Sequence, residues 1–415
     1  MRRSTLRRLG LSLLGFASAL TLSARAHADE FSVKPMLMSQ LDLSAHPEAA
    51  EGQNGFSFAR FRPGLWARPT DWMFVMGSIE LAAPETPTIL DGFVTIVPIP
   101  ELRLTAGYSR NPLFVSARSE LEGTTPMPEL SMPVKALWPG RDLGFDVHWV
   151  PRSLPLEGWV RIGNGVSSPI GKQVTDSATF GYTARLDATA GRARFEANPS
   201  ETLGLRVGVG AFFDDVEDQA GITGRTEGGY AWYQPTTISG HRSVVEGHVL
   251  AYAGPFRALV EAGAAFENRS TGTGAAGGAR LSLDPVMTRG ESAEVSWMIT
   301  GHHRMLGAWP IRVQNKIFDP KNLGLEVATR VERVDIGRGA RDVPPSGSTS
   351  GSASLTCWLA DSLSLAVAGY VYGYDAAPID EPDRTSSWLF QSRLTVFLNP
   401  PPPPRWQTKQ DRKND

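Results

Sequence analysis

The chain has 415 residues, 41% of them apolar, with 41 Lys and Arg against 43 Asp and Glu. That balance argues against a nucleic-acid binder, which carries a basic excess. The single cysteine, Cys357, excludes an intramolecular disulfide and a cysteine-built zinc site, and the seven histidines show no metal-ligand spacing.

The first element in chain order is MRRSTLRRLGLSLLGFASALTLSARAHADE. Arg2, Arg3, Arg7 and Arg8 precede an apolar run from Leu9 to Leu22, which ends at Ala26-His27-Ala28. These are the three parts of a secretory signal. Residues 1–28 are therefore expected to be cleaved, with Asp29 as the mature N-terminus. Cleavage removes five arginines and no acid, which leaves 36 basic against 43 acidic residues. Roughly 20 apolar residues are needed to cross a bilayer as a helix, and no later run reaches that length. Mean hydropathy is -0.18. Any membrane residence of the mature chain must then be as a β-barrel or on a surface.

From residue 32 onward the apolar period is two, the period of strands. Runs fall at 32–42, 56–66, 71–82, 91–97, 101–110, 142–150, 156–163, 178–189, 203–213, 242–252, 257–266, 291–302, 323–333, 350–360, 362–374 and 387–398, about sixteen in all. In LGLRVGVGAFF (203–213), Leu205, Val207 and Val209 share one face, while Arg206, Gly208 and Gly210 share the other. In SWLFQSRLTVFL (387–398), Trp388, Phe390, Leu394 and Val396 oppose Gln391, Arg393 and Thr395. The apolar faces are mostly aliphatic, with aromatic residues towards the ends: Trp149, Phe266, Tyr370, Tyr372 and Trp388. Repeated alternation, an even strand count and terminal aromatics form the pattern of an outer-membrane barrel. The expected fold is an all-β, closed antiparallel transmembrane β-barrel of about sixteen strands, up and down, spanning 29–398.

Connection lengths agree. Short turns at Arg68-Pro69-Thr70, Pro98-Ile99-Pro100, Pro151–Pro155, Gly254 and Asp361 alternate with long loops at 43–55, 111–141, 164–177, 214–238, 268–290, 337–349 and 375–383. The connections 190–202 and 303–320 are long for the short side. The last run stops at Pro400–Pro404, which cannot extend a sheet. The run is expected to pair with 32–42 and close the barrel, with Phe397 as a terminal aromatic insertion signal. The tail 399–415 is expected to leave on the periplasmic side, stiff at the prolines and then disordered.

Several stretches resemble the phosphate-selective porin family (the porin O and porin P type): FSFARFRPGLWA (56–67), LTAGYSRNPLFVSARSELE (104–122), PGRDLGFDVHW (139–149), LEGWVRIGNG (156–165), ISGHRSVVEGHVLAYAGPFRALVEAGAAF (238–266) and NLGLEVATRVERVDIG (322–337). The resemblance implies a sixteen-stranded homotrimeric barrel in a Gram-negative outer membrane, in contact with lipid and lipopolysaccharide. It implies an anion path lined by basic side chains, with no catalysis and no cofactor. It also implies that loop 111–141, rich in proline, folds inward and narrows the pore, where Arg118, Glu120, Glu122, Glu129, Lys135 and Arg141 would set the field.

By alternation the interior carries Arg60, Arg62, Arg103, Arg161, Arg185, Arg206, Arg242, Arg257, Arg330 and Arg393. Such arginines favour anions by replacing lost hydration with charge and donors. Glu80, Asp146, Glu157, Asp187, Glu246, Glu261, Glu294, Glu326 and Glu332 fall on the same face, so pairing cancels part of that field. The chain has seven lysines. The family's phosphate site depends on lysine, so a general or mildly anion-selective pore is the safer expectation. Two other readings fit: a barrel-based surface or adhesion protein with an occluded lumen, and a soluble secreted β-sandwich that binds glycans. Asp214, Asp215, Glu217 and Asp218 read as a solvated loop rather than a cation site. The glycines at 272, 274 and 277 read as a loop without the helix that a dinucleotide site needs.

Overall fold

The computed structural model describes residues 31–47, 54–82, 87–118, 123–165, 180–194, 201–271, 281–304, 323–360, 362–378, 381 and 383–401. The expected signal, Glu120, Glu122, the glycines at 272–277 and the tail beyond Pro401 lie outside them. Among the described residues there are eighteen strands: β1 (Ser32–Ala45), β2 (Gly55–Thr70), β3 (Met73–Glu80), β4 (Thr88–Ile99), β5 (Leu102–Arg110), β6 (Arg141–Trp149), β7 (Leu156–Gly163), β8 (Gly181–Gly191), β9 (Leu203–Ala220), β10 (Gly224–Arg225), β11 (Ala231–Tyr233), β12 (Thr237–Ala253), β13 (Phe256–Thr271), β14 (Leu281–Met298), β15 (Gly324–Arg338), β16 (Ser346–Ala360), β17 (Leu363–Tyr374) and β18 (Ser386–Leu398). Sixteen form a closed antiparallel barrel in sequence order, and β10 and β11 form a separate hairpin inside a loop. Each of the sixteen runs read from the sequence is one of the barrel strands.

The barrel closes where β1 meets β18, from Leu37 opposite Leu398 to Ala45 opposite Phe390. Closure leaves no unpaired sheet edge, which a hydrocarbon environment would penalise by several kcal/mol per group. Trp66 Nε1 donates to the Asn399 carbonyl at 3.1 Å, and Asn399 Nδ2 donates to the Pro35 carbonyl at 3.0 Å. Asn399 takes φ 46°, which turns the chain off the ladder just before the prolines. Phe397, read as the terminal aromatic, shares the inner parity of Gln391, Arg393 and Thr395. It is 4% exposed on the inner face, and Leu398 takes the outward position.

Alternation sorts the two faces as the sequence suggests. Leu205, Val207, Val209, Val260, Val331 and Val371 are exposed on the outer face, while Arg206, Glu326, Arg330 and Arg393 are buried inside. Trp72, Trp149, Phe256 and Trp297 mark the short-turn rim, and Phe180, Tyr182, Phe213, Phe266 and Trp388 lie towards the long-loop rim, all outward. Two girdles bracketing an aliphatic belt fit a bilayer and its two interfaces. Tyr370 and Tyr372 break the expectation. They point inward, 1% and 4% exposed. Their strand reads Leu365, Val367 and Val371 on one parity, so the tyrosines share the inner parity with Ser364, Ala366 and Ala368.

Two boundaries differ most from the sequence reading. The acid run at 214–218 is not a loop: β9 continues to Ala220, and Asp214 sits inside the barrel opposite Arg242. Strand β14 begins at Leu281, ten residues before the alternation becomes regular.

Candidate functional site

The interior is organised by residues 111–140, between β5 and β6. The chain turns inward at Asn111-Pro112. Asn111 Oδ1 accepts from the Leu113 amide at 3.1 Å, and its Nδ2 donates to Thr183 Oγ1 at 2.7 Å. Two short helices follow, α1 (Val115–Arg118) and α2 (Met132–Leu137). Ser131 caps α2 by accepting from the Val134 amide, and Pro133 occupies its first turn. Leu113, Phe114, Val115, Met127 and Val134 are fully buried.

The loop crosses the lumen and docks on the far wall. Ser116 donates from its amide (3.0 Å) and hydroxyl (2.6 Å) to Glu261 on β13. The Met132 amide donates to Glu332 Oε2 on β15 at 2.7 Å. Ser354 on β16 donates to the Pro126 carbonyl at 2.8 Å, and Arg393 on β18 bonds the Pro128 carbonyl. The inward fold implied by the resemblance is what the structure shows.

Glycines on the inner wall make the seat. A Cβ at Gly290 would lie 2.8 Å from Pro133 Cβ; one at Gly210 would meet Leu113 at 2.8 Å; one at Gly263 would meet Phe114 at 3.1 Å and Leu137 at 3.2 Å. Gly263 and Gly290 are direct cross-strand partners. Missing side chains let the loop pack against the backbone of β13 and β14. Gly290→Val is therefore expected to lift α2 off the wall and to raise single-channel conductance and its noise. Unchanged conductance in planar bilayers would count against this seat.

A second segment, part of what reads in the sequence as the long loop 214–238, also turns inward. Residues 221–236 carry the β10–β11 hairpin, closed by the Gly221 amide on the Thr236 carbonyl at 2.8 Å. Trp232 and Tyr233 are buried in one cluster with Tyr370, Tyr372 and Tyr374, and with Met132, Val134 and Leu137 of the crossing loop. Lys135 Nζ joins the two segments, donating to the Glu227 carbonyl and to Glu129 Oε2, both at 2.9 Å. The lumen is thus narrowed by two packed segments.

The candidate basic residues separate into two groups by exposure. Arg161, Arg185, Arg206, Arg257, Arg330 and Arg393 keep at most 3% side-chain exposure. Each is tied to carboxylates. Arg161 holds Asp142 and Asp146; Arg185 and Arg206 share Asp187; Arg206 also reaches Glu157; Arg257 pairs with Glu294. Arg330 meets Glu227 at 2.8 Å, Glu332 at 3.3 Å and Glu294 at 3.5 Å. Arg393 bridges Asp42 and Glu129. Arg242 pairs with Glu267, and Arg103 is 3% exposed opposite His148. These side chains brace the wall and the crossing loop.

The other group stays open to the lumen. Arg60, Arg62, Arg118 and Arg141 keep 17%, 11%, 23% and 10% side-chain exposure. They gather on one arc, β2 to β6, with Arg118 brought in by α1. Arg110 completes the cluster: it lies directly opposite Arg141 and within electrostatic reach of Arg62 and Arg118. Glu80 pairs with Arg62, and Asp91 with Arg141 at 3.3 Å. Asp146, 4.0 Å from Arg118, is already engaged by Arg161. Glu129, 3.6 Å from Arg60, is shared with Lys135 and Arg393. The five guanidiniums thus face four carboxylates, two of which, Glu129 and Asp146, are shared with cations outside the cluster, and the arc is positive. Arg110 escaped the sequence reading because its parity is outward; it sits at the strand end, where the chain bends in and Nη1 reaches the Ala117 carbonyl at 3.1 Å.

Glu129 anchors the crossing loop. Burial alone would raise its pKa, but Lys135, Arg393 and Arg60 outweigh burial and hold it well below the ordinary 4.5. A depressed carboxylate contributes stability that is fully present above its unfolded value and lost as pH falls through the folded one. The share of loop docking that Glu129 supplies through Lys135, Arg393 and Arg60 is therefore expected to be unchanged from pH 7 to 5 and to weaken only well below pH 4.5. Single-channel noise recorded across that range checks it.

No family profile and no curated protein sequence matches the chain. Solved structures do match. OmpT of Vibrio cholerae, an outer membrane protein in a trimer form, aligns with TM-score 0.52 and 11% identity over 89% of this chain and 100% of that one. An anion-selective porin from Comamonas acidovorans aligns with TM-score 0.54 and 10% identity over 89% and 100%. The outer membrane channel DcaP of Acinetobacter baumannii aligns with TM-score 0.53 and 9% identity over 88% and 97%. The chain has the fold of outer-membrane porins. At these identities the likeness is one of architecture, and nearly the whole length of each chain takes part.

Proposed function

We propose that the protein is an outer-membrane porin that passes small hydrophilic solutes, with a preference for anions. The observation that carries this reading is the positive arc of Arg60, Arg62, Arg110, Arg118 and Arg141, still partly exposed beside the crossing loop. A water-filled passage along that arc offers an anion both charge and donors where hydration is stripped. The anion-selective porin among the structural neighbours supports the direction, as the fold supports a channel. Phosphate preference is a narrower proposal. Lys135 is bound to Glu129, so a phosphate would have to be held by the arginines. Phosphate block of a chloride current tests it.

Homotrimeric assembly in the outer membrane, after signal cleavage at residue 28, belongs to the same proposal. The deciding measurement is the reversal potential of the purified protein in a KCl gradient. Chloride preference is expected. Cation preference overturns the anion reading, and absence of conductance steps overturns the channel reading. Loss of conductance would favour the occluded-barrel alternative, which the two inward segments would also suit.

A further inference from the structure

Two connections are long for the short-turn rim, 190–202 and 303–320. Where they are described, both reach the crossing loop from that side. Ala193 packs in one cluster with Val115 of α1 and with Leu250, Tyr252 and Leu259 of the wall. Arg304 is buried and donates from Nη2 to the Thr124 carbonyl at 2.8 Å. The same guanidinium holds Glu326 on β15, from Nε at 2.6 Å and from Nη2 at 2.9 Å. The crossing loop thus has a second support besides its seat on β13 and β14.

One side chain ties the two connections together. Arg192 is fully buried in the turn after β8. Its Nη1 donates to the Gly254 and Arg304 carbonyls, both at 3.3 Å, and its Nη2 meets His303 Nδ1 at 2.6 Å. A single guanidinium therefore joins three turns of the short side through neutral acceptors. The shortest of these contacts is the one that a proton destroys. Arginine only donates, so His303 Nδ1 must turn a lone pair towards Arg192 and carry its ring proton on Nε2. Protonation puts a hydrogen on Nδ1 and a charge on the ring, and the bond becomes a repulsion between two cations.

We propose that the Arg192–His303 contact is an acid-released latch that ties the short-side turns to the crossing loop. With a neutral imidazole it is closed. When His303 gains a proton it opens, residues 303–304 loosen, and Arg304 loses its hold on Thr124. Burial, then the charges of Arg192 and His302, keep the His303 imidazole below its ordinary 6.5. A histidine with a lowered folded pKa contributes stability that is full above its unfolded value and is lost as pH falls through the folded one. The latch is therefore closed at pH 7.5 and opens below pH 6.5. The share of docking held by Glu129 does not change in that window.

The charged and titratable groups around the contact come from each neighbouring turn. His302 and Arg304 flank His303; His302 Nδ1 lies 2.8 Å from Thr300 Oγ1, and Arg304 is paired with Glu326. Tyr252 on β12 and Glu201 before β9 act on Arg192 electrostatically. The β12–β13 turn brings Gly254 and Pro255, which carry no charge. His302 is the neighbouring histidine and so the necessary control.

The test is hydrogen exchange of peptides from residues 111–140, followed by mass spectrometry on the detergent-solubilised barrel at pH 7.5 and 5.5. Rates are corrected for the intrinsic dependence of exchange on pH. Wild-type protection is expected to fall about five-fold at pH 5.5, the effect of one lost hydrogen bond. His303→Gln keeps an acceptor but takes up no proton, so the protection seen at pH 7.5 is expected at both values. His303→Ala is expected to show the lower protection at both, and His302→Gln to respond as the wild type does. Heat-modifiable gel migration identifies variants that remain folded; if His303→Ala does not, His303→Gln decides. Unchanged wild-type protection, or the same acid response in His303→Gln, overturns the latch. In planar bilayers, noisier current is expected when the short-turn side is brought to pH 5.5. That readout rests on the porin reading and the exchange does not, so failure of one is distinguishable from failure of the other.

Discussion

Replacing Arg62 and Arg141 together by alanine is expected to lower the chloride-over-potassium permeability ratio about three- to seven-fold. A unit charge roughly 7 Å from an ion path in water is worth about 0.6 kcal/mol, or a factor of about three in local concentration. Each charge acts on the two ions in opposite senses, so the ratio moves by the square of that factor, and screening brings two charges back into the stated range. Removing them also unmasks Glu80 and Asp91, which they now pair, so the field swings further towards cations. Screening over about 8 Å at physiological salt reduces the effect, so the shift is larger at low ionic strength. The measurement is the reversal potential in a KCl gradient, taken at two salt concentrations. An unmoved reversal potential would remove these residues from the path. Arg118→Ala, with the highest side-chain exposure of the group, is expected to act in the same direction.

Arg330→Ala is expected to behave in the opposite manner, with a large loss of stability and little change in selectivity. Its guanidinium is 3% exposed and answers Glu227, Glu332 and Glu294. It also donates to the Glu129 carbonyl at 2.8 Å, which pins the crossing loop to the wall. Breaking a buried ion pair from one side costs about 3–5 kcal/mol, because the remaining charge has no water to turn to. Here three carboxylates lose a shared partner. Thermal unfolding at lower temperature and noisier single-channel currents are the expected readouts. Intact stability with a shifted reversal potential would instead make Arg330 part of the permeation path. In the sequence Arg118, Arg330 and Arg393 are alike candidates for the path; burial separates Arg118 from the other two.

Much of the fold was legible because a barrel wall writes itself locally. Successive side chains of a strand point to opposite faces, and in a barrel those faces meet opposite solvents. Val207 and Val209 on one side of Arg206 therefore report orientation without any long-range information. Sixteen such runs and a terminal proline block were enough to expect closure between 387–398 and 32–42, and the β1–β18 register bears that out. The reading faltered where local chemistry and tertiary role diverge. Asp214 looks like loop chemistry because acids disfavour strands, yet it continues β9 on the inner face, 5% exposed, in register with Arg242. Tyr370 and Tyr372 look like girdle aromatics, yet they face inward because another segment arrives to cover them. The hairpin at 221–236 left no pattern to read, since its burial depends on partners contributed by β15, β17, β18 and the crossing loop.

Alternation, turn spacing and charge placement in the sequence determined that the chain is a sixteen-stranded barrel with a charged interior. Those features depend on neighbours one or two residues away. Which arginines remain open to the lumen, and which are consumed in bracing it, was decided by tertiary structure alone. Free charge at a point is a sum over side chains from strands far apart in sequence. The inward loop moves some carboxylates, such as Glu129, next to arginines and holds others, such as Glu261, by its own hydrogen bonds. Only the closed ring and its seated loop fix those distances. At a few ångströms, distance settles whether an arginine attracts a passing anion or holds a wall together.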